Sequence, residues 1–203
     1  MEALGKLFGS IAKIKVMKLF LFNGDSIFDR QDVAKRSKIS SRASLQELTL
    51  LVKAGFLKKK TFMKESGKSG RKKRLQGFVL NQEFGYLEPL QTLLMYSAPM
   101  QNKEISKRLS GIGKVKAVVV SGIFIQDSES RLDMLVVGDD VSQNRLKNVI
   151  SNMESEIGRE LRFALLDTAD FKYRQGVCDR LIRDVFEFPH RIVVDKVGIE
   201  IAR

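Results

Sequence analysis

The periodicity of the hydrophobic residues changes near the middle of this chain. From Leu7 to Ala54 apolar residues recur mostly at helical spacing, whereas from Ala117 onward short apolar runs typical of buried strands alternate with helical stretches. The 203 residues suffice for two hydrophobic cores. We therefore predict a two-domain chain of mixed α+β and α/β class, with an N-terminal domain over 1–82, a helical linker over 83–114 and a C-terminal α/β domain with a mixed sheet over 115–203.

Three helices and a β-hairpin are predicted in the first half. The helices are Leu7–Phe22, then Arg30–Arg36 capped by Asp29, then a third that begins at Ser40 or Ser41 and ends near Ala54, before Gly55. Four apolar side chains of the third helix are expected to face inward: Leu45, Leu48, Leu51 and Val52. Two β-like runs, 56–63 and 75–80, enclose a charged segment, 64–74, that is predicted to be a flexible hairpin tip.

Positive charge is concentrated in this half. The formal net charge is +12, and residues 1–90 hold 19 Lys and Arg against 8 Asp and Glu, whereas residues 91–203 hold 17 against 16. Such a division is expected when one domain contacts a polyanion and the other does not.

The order of helix, helix, turn, helix and basic hairpin over about residues 5–82 resembles a winged helix-turn-helix domain. The matching segments are 28–34, Ile39-Ser40, Leu48 and the stretch 51–57. In that stretch the third helix ends at the sequence Ala-Gly-Phe-Leu. The resemblance implies a regulator of transcription that binds double-stranded DNA, with the third helix in the major groove and the hairpin as a wing.

Two sets of DNA-contacting residues follow from that resemblance. Base contacts are expected from one face of the third helix, because Arg pairs with guanine and Gln with adenine: Ser41, Arg42, Gln46 and Thr49. Contacts with the phosphate backbone are expected from the basic residues around the hairpin: Lys38, Lys58, Lys60, Lys64, Lys68, Arg71, Lys72, Lys73 and Arg74. An amphipathic helix over 81–96 is predicted to pack between domains or to form a homodimer contact.

The second half is predicted to alternate strands and helices. The strands are Ala117–Ile125, Leu132–Val137, Leu161–Leu166 and His190–Val194, and the helices are Gln143–Ile157 and Gly176–Val185. Ser121-Gly122 followed by the segment 130–138 resembles the minimal nucleotidyltransferase fold, in which a Gly-Ser turn precedes an Asp-x-Asp strand and a third acid lies on a later strand. The resemblance implies bound Mg²⁺ and a nucleotide.

This chain departs from that pattern at each catalytic position. The first acid of Asp-x-Asp is replaced by Arg131, only Asp133 remains, and Arg162 stands where the third acid belongs. Cations repel a metal ion, so we expect no catalytic residues, no metal and no cofactor, while a basic pocket there is able to hold a nucleotide or another anion. The alternatives are a small α/β domain with an incidental strand and an active Mg²⁺-dependent nucleotidyltransferase that uses Asp133.

Few other residues suggest chemistry. Cys178 and His190 are the only cysteine and histidine, which excludes an internal disulfide and argues against a zinc site; Cys178 is expected to be a packing residue. The first residues do not show the pattern of a signal peptide and no apolar run predicts a membrane span, so a cytoplasmic protein is expected. The predicted function is a DNA-binding regulator whose inactive C-terminal domain senses a ligand, forms the dimer or recruits a partner, and the further alternative is a protein-interaction module.

Overall fold

The computed structural model describes residues 2–66, 71–95, 100–127 and 129–199. Over these ranges the chain has an α+β fold with nine α-helices, a small antiparallel sheet and a four-stranded mixed sheet. It forms two compact units, the first comprising Met1–Ser97 with Ser151–Arg159 and the second Ala98–Ile150 with Glu160–Arg203. Within the described ranges, no helix is both long and apolar enough to cross a lipid bilayer.

The first unit opens with four helices: α1 (Glu2–Phe8), α2 (Ile11–Phe22), α3 (Arg30–Arg36) and α4 (Ser41–Lys53). The single helix predicted over Leu7–Phe22 is wrong, because the chain breaks at Gly9-Ser10. Gly9 has a φ of +76°, and the Ser10 hydroxyl accepts a hydrogen bond from the backbone N–H of Lys13, which caps a new helix. The bounds predicted for α3 are confirmed, with Asp29 as its cap, and Ser40 caps α4.

The inward face of α4 differs from the prediction at Leu45. Leu48 and Leu51 are buried and Val52 packs against the same core, but Leu45 is 49% exposed. Two polar residues hold the inward positions instead, because their side chains find partners on other helices. The Ser44 hydroxyl donates to the Arg30 carbonyl at 3.1 Å, and Glu47 accepts from the Ser10 hydroxyl at 2.6 Å.

A β-hairpin follows α4, formed by β1 (Leu57–Ser66) and β2 (Arg71–Leu80). The strands pair in antiparallel register from Leu57 opposite Leu80 to Ser66 opposite Arg71. They are longer than predicted, because residues 64–66 and 71–74, which were expected to belong to a flexible tip, continue the pairing. The rest of that predicted tip, 67–70, lies outside the described residues. Phe28 adds an isolated bridge to this sheet, exchanging two backbone hydrogen bonds with Phe78.

The core of the first unit is shared by its helices and the base of the hairpin. Its largest fully buried side chains are Ile14, Phe20, Leu48, Phe56, Leu57 and Leu94. Leu94 comes from α5 (Leu87–Met95), which begins six residues later than the predicted linker helix. Asn81 explains the delay, since its backbone N–H bonds the Phe56 carbonyl and its side chain bonds the Gly55 carbonyl, so the chain turns there instead of starting a helix.

The second unit is built on a mixed sheet of strand order β5-β4-β3-β6. The strands are β3 (Lys114–Val120), β4 (Met134–Asp139), β5 (Phe163–Leu166) and β6 (Arg191–Asp195). β4 and β5 are parallel, whereas β3 is antiparallel to both of its neighbours, β4 and β6. The strand predicted to run from Ala117 to Ile125 ends at Val120, and a short 3₁₀ turn, Gly122–Phe124, follows it.

The other helices are α6 (Asn102–Leu109), α7 (Gln143–Ile157), α8 (Thr168–Gly176) and α9 (Arg180–Phe186). The bounds predicted for α7 are confirmed. The helix predicted over Gly176–Val185 is wrong: Gly176 ends α8, which sequence reasoning missed, and Asp179 caps the separate helix α9. Cys178 lies between them with a φ of +52° and is exposed, so it is not the packing residue that was expected.

Candidate nucleic-acid interface and the Asp133 site

The outward face of α4 carries the side chains that were predicted to contact bases. Ser41, Arg42, Gln46 and Thr49 are all exposed, whereas the four buried positions of the helix lie on its other side. At 3.6 residues per turn these four positions fall within an arc of roughly 140° around the helix axis, so the structure brings their side chains to one face. Leu45 lies in the middle of them, an exposed apolar side chain on an otherwise polar face.

Two buried contacts fix the orientation of this face. The Ser10 hydroxyl connects the start of α2 to Glu47, which is 5% exposed, and Ser44 connects α4 to the first residue of α3. Among the described residues, the second carboxylate oxygen of Glu47 has no hydrogen-bond partner. A buried polar group without a partner is costly, so the burial of this oxygen lowers the stability of the first unit. Sequence reasoning missed Glu47 because a charged residue at a helical position is normally read as exposed.

The hairpin carries a group of exposed cations. They lie along both strands of the hairpin: Lys58, Lys59, Lys60, Lys72, Lys73 and Arg74. Lys59 was missed by the sequence reasoning, although its place in the run Lys58-Lys59-Lys60 marks it. Lys58 is also 2.5 Å from Glu83, so part of its charge is balanced. Lys68 and the side chain of Arg71 lie outside the described residues. We define the basic hairpin as the six exposed residues named above.

Lys64 differs from the other hairpin lysines. Its ammonium group lies 2.7 Å from Asp29 and 2.6 Å from Asp32, at the start of α3. Burial by itself would raise the pKa of Asp29, but hydrogen bonds from Lys64 and from the backbone N–H groups of Asp32 and Gln31 outweigh it, so that pKa lies below its ordinary value. The same two carboxylates raise the pKa of Lys64. This ammonium is therefore already neutralised within the first unit.

Lys38, the remaining predicted phosphate contact, lies in the turn between α3 and α4. Its backbone has a φ of +49°, and its ammonium group donates a hydrogen bond to the side chain of Asn152 at 2.8 Å. The side chain is exposed, so this single neutral contact leaves the charge available to an anion.

In the second unit, three of the residues likened to a nucleotidyltransferase site, Ser121, Gly122 and Arg162, come together around Asp133. Asp133 stands just before β4, and its side chain is 2% exposed. Its carboxylate accepts hydrogen bonds from the backbone N–H of Ile123 at 3.2 Å and of Arg162 at 2.8 Å. The Arg162 guanidinium adds two more, from Nε at 3.2 Å and Nη2 at 3.3 Å.

The Ser121-Gly122 turn packs directly against that carboxylate. Gly122 has a φ of +55°, and a Cβ atom placed on it would lie 2.2 Å from Asp133 Oδ1, so only glycine fits. The Ser121 hydroxyl donates to the Leu132 carbonyl, so its proton is already engaged within the unit. Arg131 points elsewhere: its guanidinium is 3.2 Å from Asp184.

The carboxylate of Asp133 therefore has four donors as its partners, and two of them belong to the Arg162 guanidinium. Because an ionised carboxylate has about four acceptor sites, no oxygen lone pair is left for a further ligand. In the described part of the chain, no three or more His, Cys, Asp or Glu residues group in a way that suits a metal ion. His190, the other residue of chemical interest, is partly exposed, and its ring nitrogen Nδ1 is 2.9 Å from the Phe188 carbonyl oxygen.

Comparison of the chain with protein-family models, with curated proteins and with solved structures finds no match.

Proposed function

We propose that the first unit is a winged helix-turn-helix domain that binds double-stranded DNA. The proposal rests mainly on one observation. The helix α4, with its exposed polar face, and the basic hairpin follow each other in the chain and belong to the same unit. The Phe28–Phe78 bridge supports it as well, since it adds a third short segment to the hairpin sheet, directly before α3. The cations of the hairpin bind phosphate without regard to sequence, whereas polar side chains on a helix read base edges.

In this proposal α4 enters the major groove. Arg42 pairs with guanine and Gln46 with adenine, and Ser41 and Thr49 lie at the two ends of the same face. The basic hairpin follows the backbone beside that groove. Lys64 makes no phosphate contact in this arrangement, because Asp29 and Asp32 hold its ammonium group.

We further propose that the protein is a regulator of transcription, and that its second unit supplies sensing, dimerisation or partner recruitment and no catalysis. The support for this part is the Asp133 site. A metal ion bound there would need free carboxylate oxygens, but the oxygens of Asp133 are paired with Arg162. A cytoplasmic homodimer fits this role.

The test is a comparison of three variants of the full chain on duplex DNA. The protein first selects its preferred sequence from a random pool, and affinity for that sequence and for a random duplex is then measured at several salt concentrations. Arg42→Ala or Gln46→Ala is expected to weaken binding of the selected sequence by about 1–3 kcal/mol and to leave the random duplex unchanged. Lys72→Ala with Lys73→Ala and Arg74→Ala is expected to weaken both.

The matched control removes the same charge from the second unit. Lys147, Lys172 and Arg145 are exposed residues of the second unit, and replacing all three by alanine is expected to leave both affinities within a factor of about two. Equal losses from the hairpin and control variants, or no salt-sensitive binding at all, would refute DNA binding and leave the protein-interaction module as the better proposal.

A further inference from the structure

A cleft of about 480 Å³ opens in the second unit, between α6, the first residues of β3 and the end of β6. Clefts of this size hold small molecules in many proteins. Three lysines line it, Lys114, Lys116 and Lys196, together with two serines and the aliphatic Leu109, Val115 and Val194. Of the described residues that line the cleft, none carries a carboxylate.

The strand pairing forces two of these lysines together. The backbone N–H of Lys196 donates to the Lys116 carbonyl at 2.8 Å, continuing the β3–β6 register in which Ala117 lies opposite Asp195. Like charges on directly neighbouring strands destabilise a sheet. A pair of lysines in this position is therefore a cost to the fold that a bound anion would relieve.

Three acidic residues next to the strands of the cleft already accept hydrogen bonds, one of them from a lysine of the cleft. Asp140 accepts a hydrogen bond from Lys114 at 2.8 Å, so one lysine of the three is balanced. Asp195 accepts three backbone N–H groups from residues 197–199. Asp139 accepts the Thr168 backbone N–H at 3.1 Å; that bond lowers its pKa, and the charges of Lys116 and Lys114 lower it further. Among the described residues, no carboxylate lies within ion-pair distance of the Lys116 or Lys196 ammonium group.

We propose that this cleft binds a phosphorylated small molecule of nucleotide size. Lys116 and Lys196 bind its phosphate oxygens, the Ser106 hydroxyl provides a further donor, and Val194 with Leu109 contacts its less polar part. Two ammonium groups that no described carboxylate pairs suit a doubly charged group, and the cleft is larger than a lone phosphate requires. The cleft lies at the start of β3, whereas Ser121 and Gly122 follow the end of that strand, so this site is separate from the Asp133 site. The inference does not depend on DNA binding.

The experiment is calorimetric titration of the full chain with ADP, GDP and pyrophosphate, with EDTA present so that no metal contributes. Replacing Lys116 and Lys196 together by alanine is expected to raise the dissociation constant of ADP or GDP at least about tenfold, since each charge-assisted hydrogen bond contributes substantially. The matched control, Lys147→Ala with Lys172→Ala, removes two exposed lysines of the same unit and is expected to leave that constant unchanged.

Two further variants separate this site from others. Ser106→Phe keeps every charge and fills the cleft, so it is expected to abolish nucleotide binding; a protein that still binds would show that only general attraction acts, and the proposal would be wrong. Alanine at Lys59, Lys60, Lys72 and Lys73 of the basic hairpin is expected to leave nucleotide binding intact, and loss in that variant would place the nucleotide on the first unit and also overturn the proposal. Binding of none of the three probes at millimolar concentration overturns it outright.

Discussion

At the scale of single residues, the helix α4 shows how partners elsewhere decide which side chains are buried. The sequence pattern favours Leu45 as a core residue, because leucine is among the most buried residue types. Ser44 and Glu47 take the inward positions instead, since Arg30 and Ser10 supply their hydrogen bonds. No local pattern reports those partners, which lie 14 and 37 residues away along the chain. The exposed set Ser41, Arg42, Gln46 and Thr49 was predictable, but the leucine among them was not.

The exposed position of Leu45 leads to a prediction about DNA sequence preference. An apolar side chain in the major groove contacts the 5-methyl group of thymine. Replacing the contacted thymine by deoxyuracil in the selected sequence removes one methyl group and is expected to weaken binding of the native protein by about fourfold. The Leu45→Ala variant should bind both duplexes almost equally.

Leu50 provides the matched control for that experiment. It is also exposed, at 43%, but it lies roughly 140° around the helix axis from Leu45. Leu50→Ala should keep the full penalty for deoxyuracil. If Leu45→Ala keeps that penalty as well, Leu45 is not the residue that contacts thymine.

Asp29 supports a second prediction at this scale, on stability. It caps α3 through the backbone N–H groups of Gln31 and Asp32, at 2.7 and 2.9 Å, and it binds Lys64. Asp29→Ala removes both functions and is expected to cost about 1–2 kcal/mol of unfolding free energy near neutral pH. Asp29→Asn keeps a capping side chain and loses the ion pair, so it should cost less.

The pH dependence of these variants follows from the lowered pKa of Asp29. A carboxylate whose pKa is lower in the folded state stabilises fully above its unfolded value, about 3.9, and loses that contribution as the pH falls through the folded value. The difference in unfolding free energy between the native protein and Asp29→Asn should therefore be constant near neutral pH and shrink below about pH 4. Denaturant unfolding at several pH values measures it, and a difference that persists undiminished at pH 2 would contradict the role of the ion pair.

At the scale of secondary structure, the elements that depend on local signals were predicted well. The capped helix α3 and the periodic helix α7 have the predicted bounds, because a cap or a sustained apolar face marks them. The elements that depend on other parts of the chain were not. The hairpin strands extend beyond residue 63. Lys64 and Lys73 lie opposite each other in the register and continue the pairing, although both are charged. The helix α8 was missed because its apolar face is narrow and Phe171 is its only buried residue.

The facing lysines of the hairpin provide a matched pair for a prediction at this scale. Lys73 is exposed, whereas Lys64 is held by Asp29 and Asp32. Lys73→Ala is expected to reduce the slope of log affinity against log salt by about 0.9 on a random duplex, the value for one lost phosphate contact. Lys64→Ala should leave the slope unchanged and should instead lower the melting temperature of the first unit. Equal changes in slope for the two variants would mean that DNA phosphate replaces Asp29 and Asp32 as the partner of the Lys64 ammonium group.

At the scale of the whole molecule, the division of charge and the division into units agree in part. The excess of basic residues over 1–90 falls in the first unit, and the second unit holds nearly equal numbers of both signs. Sequence composition was enough to assign nucleic-acid binding as an expectation to one half of the chain. It was not enough to find the lysine-lined cleft in the other half, because Lys116 and Lys196 are 80 positions apart and only strand pairing brings them together.

The Asp133 site is expected to be catalytically inactive in the full chain. We expect no Mg²⁺-dependent turnover of any nucleoside triphosphate, because the four donors around Asp133 leave no carboxylate oxygen for a metal ion. The Asp133→Asn variant should then alter stability and not activity. An asparagine presents an N–H₂ group to the donors of Ile123 and Arg162, and lost hydrogen bonds at a buried position cost about 1–3 kcal/mol each. Incorporation of label from each triphosphate, with and without Mg²⁺, is measured beside thermal unfolding of both proteins. The inactive assignment fails if the native chain transfers label and Asp133→Asn does not.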